Sequence, residues 1–493
     1  MLITNISSRW RSVVQIALGT GILQASSIVT YVVLARLLEP TDYGTYRQLF
    51  LVNQITWGVL FAALPTSLLY FYGATEDGNG KDAAINHHLF LTALGGLVAI
   101  SLLLLMRNTI ATALANKTLV GLLQIYAAYP IAFAINQMIP PILVCKKRSD
   151  LMPVFTGTAA TATALITLTT AAVSRDLQSV VLAVTVSTVA TAIFGLLITF
   201  RLAPFSTPNW ESLRKISVYC WPIAIATGIS IVGLKLDHVA VSNLFGPSLY
   251  AIYAVGALEI PIYSLVRSSS TSVILPIISE HASAADWDAV IDDWQDILRK
   301  NVAMLFPISA TLYAFSDETI AVLFGNKYQA AAAVFAAFAL LGPVRSMSFN
   351  MILRAMGRTK PDLIGAILFF GLVGGLIVPI TRGVGVIGAA YTVIATTYLI
   401  AVLLLVLTAK ASQWKLPLTS LMPVRLIGIF AFLLMGFSAL SSILENILPS
   451  SILRLGVGGA VALGLTRVLL SRQNWIIPSR RLHTDTAKPE NDS

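Results

Sequence analysis

Charge is scarce in this sequence. Acidic and basic residues make up 11% of 493 residues and hydrophobic ones 56%, and the mean hydropathy is +0.79. Soluble domains keep about a quarter of their residues charged, so the shortage excludes a water-soluble chain and leaves an integral membrane protein. Cysteine is scarcer still. Cys145 and Cys220 lack CxxC spacing and fall near expected helix ends, so neither a disulfide framework nor a metal site is suggested, and both read as small apolar packing residues. HExxH, a Walker Gly-rich loop, GxSxG and a His/Cys cluster are also missing. Enzyme readings are therefore poorly supported and no cofactor is expected. Without an ATPase motif, any work the chain does would draw on an ion gradient, with H+ or Na+ as coupling ion, on the membrane potential or on substrate supply. Lys and Arg number 33 against 23 Asp and Glu, a net charge of +10. In a membrane protein such an excess is first explained by cytoplasmic loops, and nucleic-acid binding is not implied.

Long apolar runs are abundant. A span takes about 20 residues at 1.5 Å each, and about fourteen runs qualify. The first six fall near 13–36, 45–73, 85–106, 119–144, 152–173 and 178–201. The next six fall near 216–244, 249–279, 297–315, 330–355, 361–381 and 384–409, and two more near 421–444 and 449–470. The expected fold class is all-α integral membrane. Arg9 and Arg11 precede the first run, no small-residue cleavage pattern follows it, and Arg36 closes it, so it reads as a retained helix. With the N-terminus placed inside, most Lys and Arg gather on that side, among them Lys146, Lys147, Arg148, Arg299, Lys300, Arg358 and Lys360. Both termini are then cytoplasmic.

Two stretches repeat. Leu37-Leu38-Glu39-Pro40-Thr41-Asp42-Tyr43-Gly44-Thr45-Tyr46 returns as Leu244-Phe245-Gly246-Pro247-Ser248-Leu249-Tyr250-Ala251-Ile252-Tyr253, one offset carrying Leu37 to Leu244, Pro40 to Pro247, Tyr43 to Tyr250 and Tyr46 to Tyr253. A weaker echo relates Lys147-Arg148-Ser149-Asp150-Leu151 to Thr359-Lys360-Pro361-Asp362-Leu363. Equal halves starting on the same side form a parallel repeat about an axis along the membrane normal. The expected organisation is an N-lobe at 1–203, a polar connector at 204–215, a C-lobe at 216–410, two trailing helices in 411–471 and a basic, disordered cytoplasmic tail at 472–493. One segment, 280–300, resists the spanning pattern. Trp287, Ile291, Trp294 and Leu298 recur there at helical spacing among Asp286, Asp288, Asp292, Asp293 and Asp296. It reads as an amphipathic helix lying at the cytoplasmic interface with its tryptophans as anchors, with a docking site for a glycosyltransferase or regulator as the alternative.

The run Ala35-Arg36-Leu37-Leu38-Glu39-Pro40-Thr41-Asp42-Tyr43-Gly44 resembles the signature near the first helix of bacterial polysaccharide and O-antigen flippases, and Gly357-Arg358-Thr359-Lys360 resembles that family's Gly-Arg-x-Lys turn. These flippases belong to the multidrug, oligosaccharidyl-lipid and polysaccharide exporter superfamily. The resemblance implies two six-helix lobes around a central cavity, with two C-terminal helices beside them, in a bacterial inner membrane. It also implies a substrate, a polyprenyl-pyrophosphate-linked oligosaccharide repeat unit moved from the cytoplasmic to the periplasmic leaflet by alternating access for surface polysaccharide assembly. Polysaccharide polymerase or glycosyltransferases would be partners, together with membrane lipids.

Ionisable residues inside spans cost about 2.5–3.5 kcal/mol each and usually face protein interior or water. Lys235, Asp237, His238, Glu259, Arg267 and Arg345 are such residues. Arg267, followed by the polar run Ser268-Ser269-Ser270-Thr271-Ser272, and Arg345 are the leading candidates for binding a pyrophosphate, with Lys235 behind them. Lys235 and Glu259 fall at similar depths, so an ion pair between the seventh and eighth helices is the alternative reading. Asp237 and Glu259 are candidates for ion coupling. Arg47 shares a face with Gln54 at i, i+7 and is a candidate cavity residue, while Arg36 beside Glu39 and Asp42 suits a surface ion pair as well as substrate binding. Asn136 and Gln137 read as interhelical hydrogen-bonding groups. Pro65, Pro222, Pro261, Pro276 and Pro379 are bending points. A drug/cation antiporter of the same superfamily would instead need cavity acids to outweigh cations. An integral glycosyltransferase or ligase would need large catalytic loops, and no connector here exceeds about 20 residues.

Overall fold

The computed structural model describes residues 2–76, 78–347, 349–472 and 476–477. Among these, regular structure is helical throughout. Ten helices are long and apolar enough to cross a membrane, or twelve when each of two bent pairs counts as one span. This is fewer than the fourteen runs expected, because the runs at 13–36 and 297–315 fall on helices outside that set. The chain divides into two compact units, Met1–Ala254 and Val255–Ser493.

The first unit holds α1 (Leu2–Leu37), α2 (Pro40–Leu60), α3 (Leu64–Ala74), α4 (Gly78–Leu105), α5 (Arg107–Ala113), α6 (Leu119–Tyr126), α7 (Tyr129–Cys145), α8 (Leu151–Ser174), α9 (Leu177–Leu202) and α10 (Trp210–Gly233), with α11 (Leu236–Gly256) closing it. Several runs that looked continuous in sequence are broken, and proline marks where the chain restarts. Pro65 stands in the first turn of α3, Pro130 in that of α7, and both follow short non-helical joints. A proline there lacks only an N–H that would have no helical partner, while its ring bars helix through the preceding residue. The expected spans 216–244 and 249–279 need the same correction. The seventh run breaks at Leu234–Lys235 and the eighth before Pro261, so Lys235 and Glu259 sit at helix breaks and not within continuous spans.

The repeated stretches form matching turns. Leu37 ends α1 and Pro40 begins α2; in the echo Gly246 leaves helical geometry at φ 73° and ψ −176°, and Pro247 begins the next helical stretch. That φ belongs to the region glycine enters without penalty. The two turns also pack on each other. A Cβ on Gly44 would overlap the carbonyl of Pro247 and stand 3.3 Å from the Ala251 Cβ, so only glycine lets these backbones approach. Tyr43, Tyr46, Tyr250 and Tyr253 are all buried around the contact. A polar network seals it: Gln48 Nε2 donates to Ser242 Oγ at 2.7 Å and to the Leu114 carbonyl at 2.9 Å, and Asn116 Nδ2 donates to Gln48 Oε1 at 2.6 Å and Thr45 Oγ1 at 2.8 Å.

The second unit comprises α12 (Pro261–Ser283), α13 (Trp287–Ala314), α14 (Ser316–Phe324), α15 (Ala331–Ala339), α16 (Gly342–Ser346), α17 (Phe349–Ala355), α18 (Lys360–Val384), α19 (Val386–Ala411), α20 (Leu418–Leu421), α21 (Arg425–Ile447) and α22 (Ser451–Ser471). Helix α13 is its axis, packed against α12, α15, α16, α21 and α22. The interfacial helix expected at 280–300 is corrected here. Ile291, Trp294 and Leu298 are fully buried, and they pack with Leu421, Leu426, Ile476 and Ile477 and not at a lipid surface. Trp294 Nε1 donates to the Leu421 carbonyl at 3.0 Å, Gln295 Nε2 to Ser420 O at 3.0 Å, and Arg299 Nη1 to Ile477 O at 3.1 Å. A helical stripe of this kind needs an apolar partner, and here that partner is the chain itself. Of the tail expected at 472–493, residues 473–475 and 478–493 lie outside the described residues; Ile476 and Ile477 are part of the core.

Candidate functional site

The two units each collect two cations, an acid and tyrosine. In the first unit the turn contact fixes the start of α2, which places Arg47 one residue before Gln48 and on a different face. Its guanidinium carbon lies 4.3 Å from the centroid of the Tyr31 ring on α1, and the Tyr43 hydroxyl adjoins it. Such a cation held over a ring is worth about 0.5–2 kcal/mol. Arg47 as a whole is half-buried, yet its Nη1 is buried with no hydrogen-bond partner among the described residues. At the break between α10 and α11 stand half-buried Lys235 and then Asp237 and His238, both buried. The charges of Asp237, Lys235 and Arg47 all act on His238, so the four groups form one cluster. Tyr253 donates to Asp237 Oδ2 at 2.6 Å, and the Tyr250 hydroxyl lies 3.3 Å from His238 Nδ1. Asp237 Oδ1 has no partner among the described residues.

In the second unit Arg345 is carried on the single turn of α16. Helix α16 is held close to α13 because Gly342 abuts Ser309, where a Cβ would overlap the hydroxyl. The Arg345 guanidinium carbon lies 5.0 Å from the centroid of Tyr263, whose hydroxyl is 2.8 Å from Ser309 Oγ. Glu259 and Arg267, one turn either side of Tyr263, both act on Arg345 electrostatically, and both are exposed. Asn301 ties the site to its surroundings, donating to Ser346 O at 3.1 Å and accepting from Ser270 Oγ at 2.7 Å.

Thus Arg47, Lys235 and Asp237 come together in one unit, and Arg267, Arg345 and Glu259 in the other. Arg36 stands apart, exposed at the end of α1. Asn136 does bond between helices, from Nδ2 to Thr191 Oγ1 at 2.9 Å and Thr188 O at 3.2 Å, whereas no such bond holds Gln137 among the described residues. Sequence reasoning did not single out Tyr31 and Tyr263, the rings on which the two arginines rest. The visible signal was the polar α2 face starting at Arg47. Among the described residues no group of three or more His, Cys, Asp or Glu could hold a metal ion.

Broken helices with half-buried cations beside the breaks recur in multi-pass membrane transporters. The fold agrees. A structure of the lipid II flippase MurJ in an inward closed conformation aligns over 96% of this chain and 100% of that one, with TM-score 0.70 and 12% identity. An inward-facing multidrug resistance MATE family transporter of the MOP superfamily aligns over 82% of this chain and 98% of that one, with TM-score 0.62 and 14% identity. A MOP superfamily transporter from Pyrococcus furiosus, described as having a binding pocket of reversed polarity, aligns over 83% and 96%, with TM-score 0.58 and 12% identity. At these identities the likeness is one of fold. No curated protein matches the sequence. The polysaccharide biosynthesis protein family matches residues 33–333, more than half of the chain, and the chain belongs to that family.

Proposed function

We propose that this protein is a flippase that moves a polyprenyl-pyrophosphate-linked oligosaccharide from the cytoplasmic to the periplasmic leaflet of a bacterial inner membrane by alternating access. Family membership supports the polysaccharide pathway, and a fold shared with a lipid II flippase supports a lipid-linked cargo. The observation that carries the reading is the pair of arginines, Arg47 and Arg345, each half-buried and held over a tyrosine face without a carboxylate bonded to it among the described residues. A pyrophosphate crossing the bilayer must replace its water shell. Fixed guanidinium groups supply charge-assisted, bidentate donors that do so. Lys235 and Arg267 add charge to the two clusters, with Arg36 at the periplasmic rim. Asp237 and Glu259 are the groups through which H+ or Na+ would couple.

In this reading the chain has fourteen spans, α10 with the first part of α11 forming the seventh, the rest of α11 with α12 forming the eighth, and α1 and α13 serving as the first and ninth, arranged as two six-helix repeats with α21 and α22 following and both termini cytoplasmic. The cations favour an anionic cargo over the drug or cation antiporter alternative, because the clusters hold Arg47, Lys235, Arg267 and Arg345 against Asp237 and Glu259. Cells lacking the protein are expected to accumulate lipid-linked repeat units on the cytoplasmic side and lose surface polymer. An Arg345→Ala protein at wild-type abundance should lower polymer export about tenfold or more, the loss of a charge-assisted hydrogen bond worth roughly 1.5–3 kcal/mol. Unchanged surface glycan in the deletion strain overturns the function; normal export by Arg345→Ala overturns the site.

A further inference from the structure

Between α1, α2 and α7 runs a line of aromatic rings that the charged clusters do not account for. Tyr31 meets Phe50 edge-on at 6.2 Å between centroids, Phe50 meets Tyr129 at 5.4 Å, Tyr129 stacks on Phe133 at 6.0 Å, and Phe133 stands perpendicular to Trp57 at 5.6 Å. On α2 the face is Arg47, Phe50, Gln54 and Trp57, at i, i+3, i+7 and i+10. Tyr129 is buried, but Phe50, Trp57 and Phe133 are half-buried, as are Gln54 and, one turn beyond Phe133, Gln137. Among the described residues neither amide nor the Trp57 indole N–H has a hydrogen-bond partner in the protein.

A packed core would explain the rings. It would not leave two amides and an indole N–H open among them, since such groups are costly where no water or partner reaches them. An acyl chain could cover the rings and satisfy none of the three. A cationic guest would want a carboxylate, and the charged group on this face is Arg47. The chemistry that uses all of it is carbohydrate: aromatic faces take the C–H face of a pyranose, and primary amides pair with neighbouring hydroxyls, the mix of apolar walls and a few placed polar groups that binding sites employ.

We propose that Trp57 and Phe133, flanked by Gln54 and Gln137, form a sugar-binding subsite that holds the first pyranose of the cargo while Arg47 faces its pyrophosphate, an assignment that rests on the flippase reading above. The test uses the full-length protein in nanodiscs and four probes: geranyl pyrophosphate, and the same lipid carrying glucose, galactose or N-acetylglucosamine. Wild-type protein should bind at least one glycosylated probe about tenfold more tightly than the bare lipid. Trp57→Leu and Gln54→Leu should each erase that increment while leaving affinity for geranyl pyrophosphate unchanged, and Trp57→Phe, which keeps a ring, should retain most of it. If no sugar improves binding, or the increment survives in both Trp57→Leu and Gln54→Leu, the subsite is wrong and the pyrophosphate reading stands. If Trp57→Leu weakens bare and glycosylated lipid equally, the ring does not serve the sugar. Failure of wild-type protein to bind any of the four overturns both proposals.

Discussion

The two charged clusters share two cations, one carboxylate and an arginine seated on a tyrosine ring, and they hold the carboxylate differently. In the first unit the acid is locked in: Asp237 is 3% exposed and takes a 2.6 Å hydrogen bond from Tyr253, and the surrounding turns are cemented by the Gln48, Asn116 and Ser242 network. In the second the acid is loose: Glu259 is exposed at a helix break and Arg345 rests on a tyrosine ring. Residue type alone therefore does not tell how tightly an acid is held. What separates the two is that a tyrosine hydroxyl bonds one oxygen of buried Asp237 while Glu259 faces outward, because an unmet charge in a membrane interior is costly and persists where water or a ligand meets it.

The scaffold side of this comparison breaks most completely at Gly44. A methyl group there meets the Pro247 carbonyl, which is backbone and cannot rotate away, so the two turns must separate. Gly44→Ala is expected to cost about 3 kcal/mol or more, at the upper end of overpacking penalties, and to appear as a lower melting temperature of the detergent-purified protein and a smaller folded yield. Gly246→Ala strains only its own φ of 73° and meets nothing within 4 Å, so it should cost less, about 1 kcal/mol. Equal losses for the two would show that the close approach of the turns contributes nothing.

How much of this could be read from the chain follows from how local each feature is. The repeat was legible because Pro40 and Pro247, and the paired tyrosines, are fixed by turn geometry that any copy must reproduce. The fact that its two copies touch was not, since Gly44 looks in sequence like ordinary turn punctuation. Arg47 and Arg345 stood out as charges beside apolar runs, but their rings did not: which face of α1 or α12 meets a neighbour is decided by packing between helices, and Tyr31 and Tyr263 lie on other helices than their arginines. The α13 stripe was seen and misassigned, because periodicity reports that a face is apolar and is silent on whether lipid or protein covers it. The helix breaks were half legible, through Pro65 and Pro261.

A direct contrast of the two acids sharpens the comparison at intermediate size. Asp237→Ala removes the acceptor of a buried hydroxyl and should destabilise the protein by about 1–3 kcal/mol, visible as a shifted thermal melt. Glu259→Ala, at an exposed position, should stay within about 0.5 kcal/mol. Any transport defect in the latter would then belong to function and not to folding. Should both variants melt alike, the distinction between locked and loose acid fails.

The smallest effect is expected where a polar group is satisfied but exposed to water. Asp176 caps α9, accepting the Ser179 backbone N–H at 2.9 Å and the Ser179 hydroxyl at 3.0 Å. The hydrogen bond from the Ser179 backbone N–H holds its carboxyl below the usual range, with the hydroxyl assisting. A depressed folded-state value means the folded protein favours the carboxylate more than the unfolded chain does. The stabilisation is accordingly complete above the ordinary aspartate value near 4 and is lost as pH falls through the lower folded value. Asp176→Ala should cost about 0.5–1 kcal/mol at neutral pH, the low end for a cap because water competes for the same N–H, and the difference between variant and wild type should vanish in acid. A penalty matching that of Asp237→Ala would mean that burial adds nothing to a hydrogen-bonded carboxylate, which would remove the physical basis for separating the two clusters.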